Sequence, residues 1–189
     1  GRLHPEWDIN RARDLVGRTA DLSHAYKQVP VKPAHRWTSV VTVTNPDTRR
    51  PEFFISDTLL FGQTAAVVGF NRVARALRKI ATSCLGLVLT NYFDDYPQLE
   101  AAELAESARE HFMEMCDILG WEVAKKETKN KPFAKLFEML GVLVNLTDVH
   151  RGAVILENKP ERAAEVLETI GDILDRGRLA PPEAASLAG

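Results

Sequence analysis

The chain has 189 residues, 45% hydrophobic and 26% charged, a size and balance suited to one globular domain or a compact piece of a larger protein. That composition excludes a disordered tail, a collagen and a coiled-coil rod, and no apolar run approaches the roughly 20 residues of a membrane span. With 24 Lys and Arg against 26 Asp and Glu, the formal charge is −2, so any polyanion would have to be held by local clustering rather than by a global field.

In chain order, residues 1–17 are mixed and polar, and 18–22 predict a short strand closing at Asp21. Residues 37–44 are rich in β-branched side chains, which suits a strand. Asn45-Pro46-Asp47 marks a turn, and 52–56 the returning strand of a hairpin. In 64–80, Ala66, Phe70, Val73, Leu77 and Ile80 recur at helical steps and make one apolar stripe. The rest of that helix carries Arg72, Arg75, Arg78 and Lys79 without an acid. Residues 85–92 predict a buried strand, Asp94-Asp95 a tight turn and 96–99 the return.

A second amphipathic helix is expected over 101–119, with Leu104, Ala108, Phe112, Met115 and Leu119 on one face and Gly120 as its stop. Residues 125–131 are a basic loop of four Lys against one Glu. Residues 136–146 and 153–156 predict a hairpin turning near 148–152. Pro160 starts a third helix through about Leu174, with Val166, Leu167, Ile170 and Leu174 as its stripe, and Pro181-Pro182 opens a last one. Strand pairs thus alternate with helices, which predicts an α+β fold: an antiparallel sheet with helices packed on one face. Cys84 and Cys116 lie in apolar stretches and read as reduced core thiols, which suits an intracellular protein, cytoplasmic or nuclear alike. The absence of an initiator Met suggests a segment cut from a longer protein.

Three acids fall at strand ends. Asp21 closes the first strand, and Asp94 and Asp95 follow the most apolar one. Strands that are neighbours lie about 5 Å apart, so Asp21 and Asp94 can face one another across the sheet. Carboxylates so placed suit Mg²⁺, and two such ions can activate a hydroxyl and stabilise a leaving phosphate oxygen. An Asp-Asp turn alone is more often a solvated pair; the surrounding motifs give this one its weight. Five scattered His and two distant Cys make no zinc pattern.

The stretch Asp21-Leu22-Ser23-His24-Ala25-Tyr26-Lys27-Gln28-Val29-Pro30-Val31 resembles the first catalytic motif of retroelement reverse transcriptases. Tyr92-Phe93-Asp94-Asp95 resembles their Tyr-x-Asp-Asp hairpin. Leu60-Phe61-Gly62-Gln63 through Phe70-Asn71-Arg72 is similar to the Phe-Gly turn and helix between those motifs. The 125–131 loop with Phe137-Glu138-Met139-Leu140-Gly141 resembles the lysine loop and primer-grip hairpin. All occur in the family's order, over about residues 15–146.

The resemblance implies a right-hand polymerase palm with part of the fingers over residues 1–146. Residues 147–189 would supply a C-terminal hairpin and helices leading toward a thumb. It implies RNA-directed DNA polymerase activity, adding deoxynucleoside triphosphates to a primer 3′-hydroxyl on an RNA/DNA template-primer, with two Mg²⁺ for which Mn²⁺ can substitute, and no membrane. Asp21 and Asp94 would ligate both ions, with Asp95 a secondary ligand and the Leu22 carbonyl an extra one. Tyr26 would lie under the sugar and exclude a 2′-hydroxyl; Phe61, Gly62 and Tyr92 would border the nucleotide. Arg72 and Arg75 would touch template phosphates, or else belong to a solvated helix face. Lys129, with Lys126 next, would protonate the leaving pyrophosphate.

Two departures bear on the nucleotide pocket rather than the metal site: Leu60 stands where the family usually has Pro, and Ala65-Ala66-Val67 lacks the usual Pro. The basic finger residues, the thumb and any ribonuclease H domain would lie outside this segment. The competing expectations are a domesticated, inactive relic that keeps weak nucleic-acid binding, and an RNA-dependent RNA polymerase, against which the bulk of Tyr26 argues.

Overall fold

The computed structural model describes residues 9–125, 130–182 and 184. Its elements are α1 (Ile9–Arg13), β1 (Leu15–Asp21), β2 (Val40–Thr44), β3 (Pro51–Ile55), α2 (Thr64–Cys84), β4 (Asp95–Ala101), α3 (Ala105–Ile118), β5 (Leu136–Met139), β6 (Val142–Asn145), β7 (Ile155–Asn158) and α4 (Pro160–Arg176). The fold is α+β. The sheets among the described residues are β1-β4, β2-β3 and β5-β6-β7, and every pairing of named strands is antiparallel. No helix among them is long and apolar enough to cross a membrane.

β1 organises the molecule because both of its edges and both of its faces are used. One edge pairs with β4 along its whole length, from Leu15 opposite Ala101 to Asp21 opposite Asp95. The other edge is bridged at Gly17 by Ala134 and at Leu22 by Val123. Alternation sends Ala20 and Leu22 to the helical side, where they join Phe70 and Leu77 of α2 and Phe112, Met115 and Cys116 of α3 in the main core. Burying each such large apolar side chain is worth about 1.5–3 kcal/mol. Tyr96 is buried there too, and its hydroxyl donates to the Ala74 carbonyl at 3.2 Å. The opposite face of β1 takes the β5-β6-β7 sheet. A Cβ on Gly17 would stand only 2.1 Å from the Phe137 ring, and the Thr19 hydroxyl donates to the Glu138 carbonyl at 2.6 Å.

Several expectations need correction. Residues 85–92 are not a buried strand. From Gly86 (φ 68°) they run as a loosely bridged edge beside β4, with Val88 exposed and only Leu87 and Leu89 turned to the core. The true partner of β4 is β1, a pairing no local signal announces. Residues 136–146 are two strands, joined by a two-residue turn at Leu140 (φ 50°) and Gly141 (φ 84°), the left-handed pair a tight hairpin needs. The connection through 148–152 then brings β7 back onto β6. α2 runs on to Cys84, which is exposed, so of the two cysteines only Cys116 is a core thiol. Leu104 and Leu119 flank α3 instead of belonging to it and are exposed, and Cys116 completes the buried stripe.

Candidate functional site

The two acidic motifs meet where β1 ends and β4 begins. Asp21, buried, lies directly opposite Asp95. Directly opposed Cα atoms in an antiparallel ladder are about 4.5–5.5 Å apart. One residue on, the Leu22 amide donates to the Asp94 carbonyl at 3.2 Å. A tight turn presents Asp94: the Tyr92 amide donates to the Asp95 carbonyl at 2.9 Å, and the Asp95 amide to the Tyr92 carbonyl at 3.0 Å. Phe93 at its tip takes φ 51°, a left-handed backbone that costs a non-glycine residue about 1–3 kcal/mol. The Asp21 carbonyl accepts from the Ala124 amide at 2.8 Å, which fixes the strand end from its other edge.

Alternation places Asp21 on the face of Gly17 and Thr19, under the β5–β6 turn. A cavity of about 260 Å³ opens there, bounded by Thr19, Asp21, Asp95, Lys131, Glu138 and Gly141. It holds carboxylates on one wall and a lysine on the other, with Lys131 Nζ 3.9 Å from Glu138 Oε2 and Lys159 also bound to Glu138. Among the described residues no three His, Cys, Asp or Glu side chains converge as a ready-made metal cluster. A cation here would rest on carboxylates from two strands, with backbone and solvent oxygens completing its shell. That all-oxygen donor set suits Mg²⁺.

Tyr26 sits in the 3₁₀ turn Ala25–Gln28 that follows β1. Its buried ring stacks on Phe70 (centroids 4.7 Å apart, 18° between planes) and meets Phe61 at 4.6 Å. Burial, and then the charge of Asp94, push its hydroxyl above the ordinary tyrosine range, so Tyr26 lies within electrostatic reach of the acidic turn. Phe61 is exposed beside it, and Gly62 takes φ 89°, a conformation natural only to glycine, at the turn into α2. Tyr92 is exposed and packs edge-on against Phe93 at 4.9 Å. Leu22 is buried, its backbone at the junction of both motifs. Asp21, Leu22, Tyr26, Phe61, Asp94 and Asp95 are therefore brought together. Arg72 and Arg75 are exposed on α2. Lys129 and Lys126 fall outside the described residues.

Three residues escaped the sequence reading of the site. Lys131 borders the cavity, although counting back from Gly141 favours Lys129. Gln28 hydrogen-bonds across to the chain after α3. Arg18 is buried on the helical face of β1, opposite Gln98 in register, with the Phe133 ring 5.6 Å from its guanidinium carbon. Its three side-chain nitrogens have no hydrogen-bond partner among the described residues, and burial lowers its pKa to about 10. The signal for Arg18 was present: it shares the parity of Ala20 and Leu22, the residues that enter the core.

No family model and no curated protein matches the sequence. Among solved structures, the foamy viral protease-reverse transcriptase in complex with RNA/DNA hybrid superposes with a TM-score of 0.59 at 16% identity. The chain shares a fold with part of that enzyme. The match covers 82% of this chain and 18% of that one, so the chain spans less than a fifth of its length.

Proposed function

We propose that the chain is the catalytic palm, with part of the fingers, of an RNA-directed DNA polymerase of retroelement type. The observation that carries this is the register of β1 and β4, which sets Asp21 against Asp95 and the Leu22 amide on the Asp94 carbonyl. Independent support comes from the shared fold with a reverse transcriptase whose structure contains an RNA/DNA hybrid.

In this reading Asp21 and Asp94 hold two Mg²⁺, assisted by Asp95 and the Leu22 carbonyl. The ions supply activation of the primer 3′-hydroxyl and charge neutralisation on the leaving pyrophosphate. Tyr26, braced by Phe70, is the floor under the incoming sugar and excludes a 2′-hydroxyl by bulk. Phe61 and Gly62 border the base, Gly62 letting the backbone approach closely, and Tyr92 flanks the acidic turn. Arg72 and Arg75 face template phosphates. Lys129 is the general acid for pyrophosphate. The RNA/DNA duplex runs over the cavity beneath the β5–β6 turn.

The test is primer extension on a poly(rA) template by the full-length polymerase carrying this chain. Asp94→Asn is expected to abolish extension while the melting temperature holds. Normal extension by that variant would reject the reading. Salt-dependent nucleic-acid binding by a wild-type chain that synthesises nothing would instead identify a domesticated relic.

A further inference from the structure

β1 stops at Asp21, yet the next seven residues must hold a defined shape to present Tyr26. They leave the strand through His24 at φ 52° and pass into a single 3₁₀ turn. Neither feature is stable alone: left-handed backbone at a non-glycine residue costs free energy, and short 3₁₀ turns have poor hydrogen-bond geometry. Something outside the turn must hold it.

The side chain of Gln28 does so. Its Oε1 accepts from the Glu122 amide at 2.8 Å, and its Nε2 donates to the Glu122 carbonyl at 2.9 Å and to the Ser23 carbonyl at 2.5 Å. A carboxamide carries the same donor and acceptor pair as a peptide unit. Gln28 therefore meets both backbone groups of Glu122, as a neighbouring strand residue would. The Ser23 amide donates to the same Glu122 carbonyl at 2.8 Å, filling its second lone pair. Both ends of the turn, Ser23 and Gln28, are thus tied to one residue 94 positions away from Gln28 in sequence. Tyr26 falls between those ends in sequence, within the turn they hold.

We infer that Gln28 is a positioning residue that fixes the floor tyrosine and thereby sets sugar selectivity. This rests on the polymerase reading given above. Only an amide meets the geometry. Glutamate, of equal size, would turn an oxygen toward the Ser23 and Glu122 carbonyls, and methionine would remove all three bonds.

The experiment uses Gln28→Glu and Gln28→Met in the full-length polymerase. It compares kcat/KM for a deoxynucleotide with that for the matching ribonucleotide. Both variants are expected to keep Asp94-dependent extension and to lose about tenfold of the deoxy preference, the order expected when part of the free energy of two or three lost hydrogen bonds reaches the tyrosine. KM for the deoxynucleotide should rise more than kcat falls, and primer-template affinity should be unchanged. In hydrogen exchange the Glu122 amide should lose protection while amides of α2 and α3 keep theirs. Should Gln28→Met fail to fold, Gln28→Glu, which preserves volume, carries the test. Variants that discriminate within twofold of wild type, or that lose all extension with an unshifted melt, overturn the role of Gln28. A wild-type chain without Asp94-dependent extension overturns the polymerase reading itself, and this role with it.

Discussion

Asp21 and Asp95 are direct cross-strand partners at the end of β1 and the start of β4, two acids from distant stretches of chain placed on one face of the sheet. Like charges directly opposite one another destabilise an antiparallel pair. A divalent cation shared by both carboxylates would offset that repulsion.

Asp95→Asn should lower primer extension, because it removes one of the two opposed carboxylates. Added Mg²⁺ should stabilise wild type more than the variant. Thermal melts with and without added Mg²⁺ check this.

Gly17 is required by the close approach of the β5–β6 sheet, not by its backbone conformation. Gly17→Ala sets a methyl into the Phe137 ring, 2.1 Å away before relaxation. The expected loss is about 1–3 kcal/mol, the cost of overpacking. Chemical denaturation reads it, and Phe137→Leu in the same chain should recover part of the loss.

The cysteines should separate cleanly. Cys84 is exposed and Cys116 buried, so an alkylating reagent should add once, at Cys84, until the protein unfolds. Burial pushes the Cys116 thiol from an ordinary value of 9.0 up to about 12. Below pH 9 both folded and unfolded thiols keep their proton. Between 9 and about 12 only the unfolded chain loses it, so stability from this group falls as pH rises through that window. Cys116→Val should flatten that part of the decline, read from melts across the range.

Arg18 carries a charge into the core with its nitrogens unpartnered among the described residues. Replacing it with methionine, of similar length, should stabilise the fold by about 1–4 kcal/mol near neutral pH. Burial holds its pKa at about 10 against an ordinary 12.5. Above pH 10 the folded chain can shed a proton that the unfolded chain keeps, so the wild type recovers stability and the advantage of the variant should shrink. An advantage that grows with pH would contradict this.

What was legible in the residues was what local periodicity and turn chemistry encode. The stripe of Ala66, Phe70 and Leu77 predicts α2, and Asn45-Pro46 predicts the β2–β3 hairpin. Asp21 and Asp94 were recognisable as motif residues before any geometry was known. What was not legible depended on distant partners. The acidic motifs suggested that β1 and the Asp94-Asp95 turn are neighbours, but the full pairing of β1 with β4, between residues 74 or more apart, has no local signal for its register. The turn at Leu140-Gly141 escaped because a leucine there occupies the left-handed region that glycine or asparagine ordinarily signals. The valine and leucines of 85–92 suggested burial, but hydrophobicity alone does not say which sheet edge is covered. On α4 the stripe of Val166, Leu167, Ile170 and Leu174 forms its helix as expected, yet all four side chains are exposed.

The most direct measurement is an anomalous difference map at the manganese edge, from crystals of the full-length polymerase grown with an RNA/DNA duplex and Mn²⁺. The account requires peaks between the carboxylates of Asp21 and Asp94, lost in Asp94→Asn. Manganese bound elsewhere, with none between those two side chains, would contradict it.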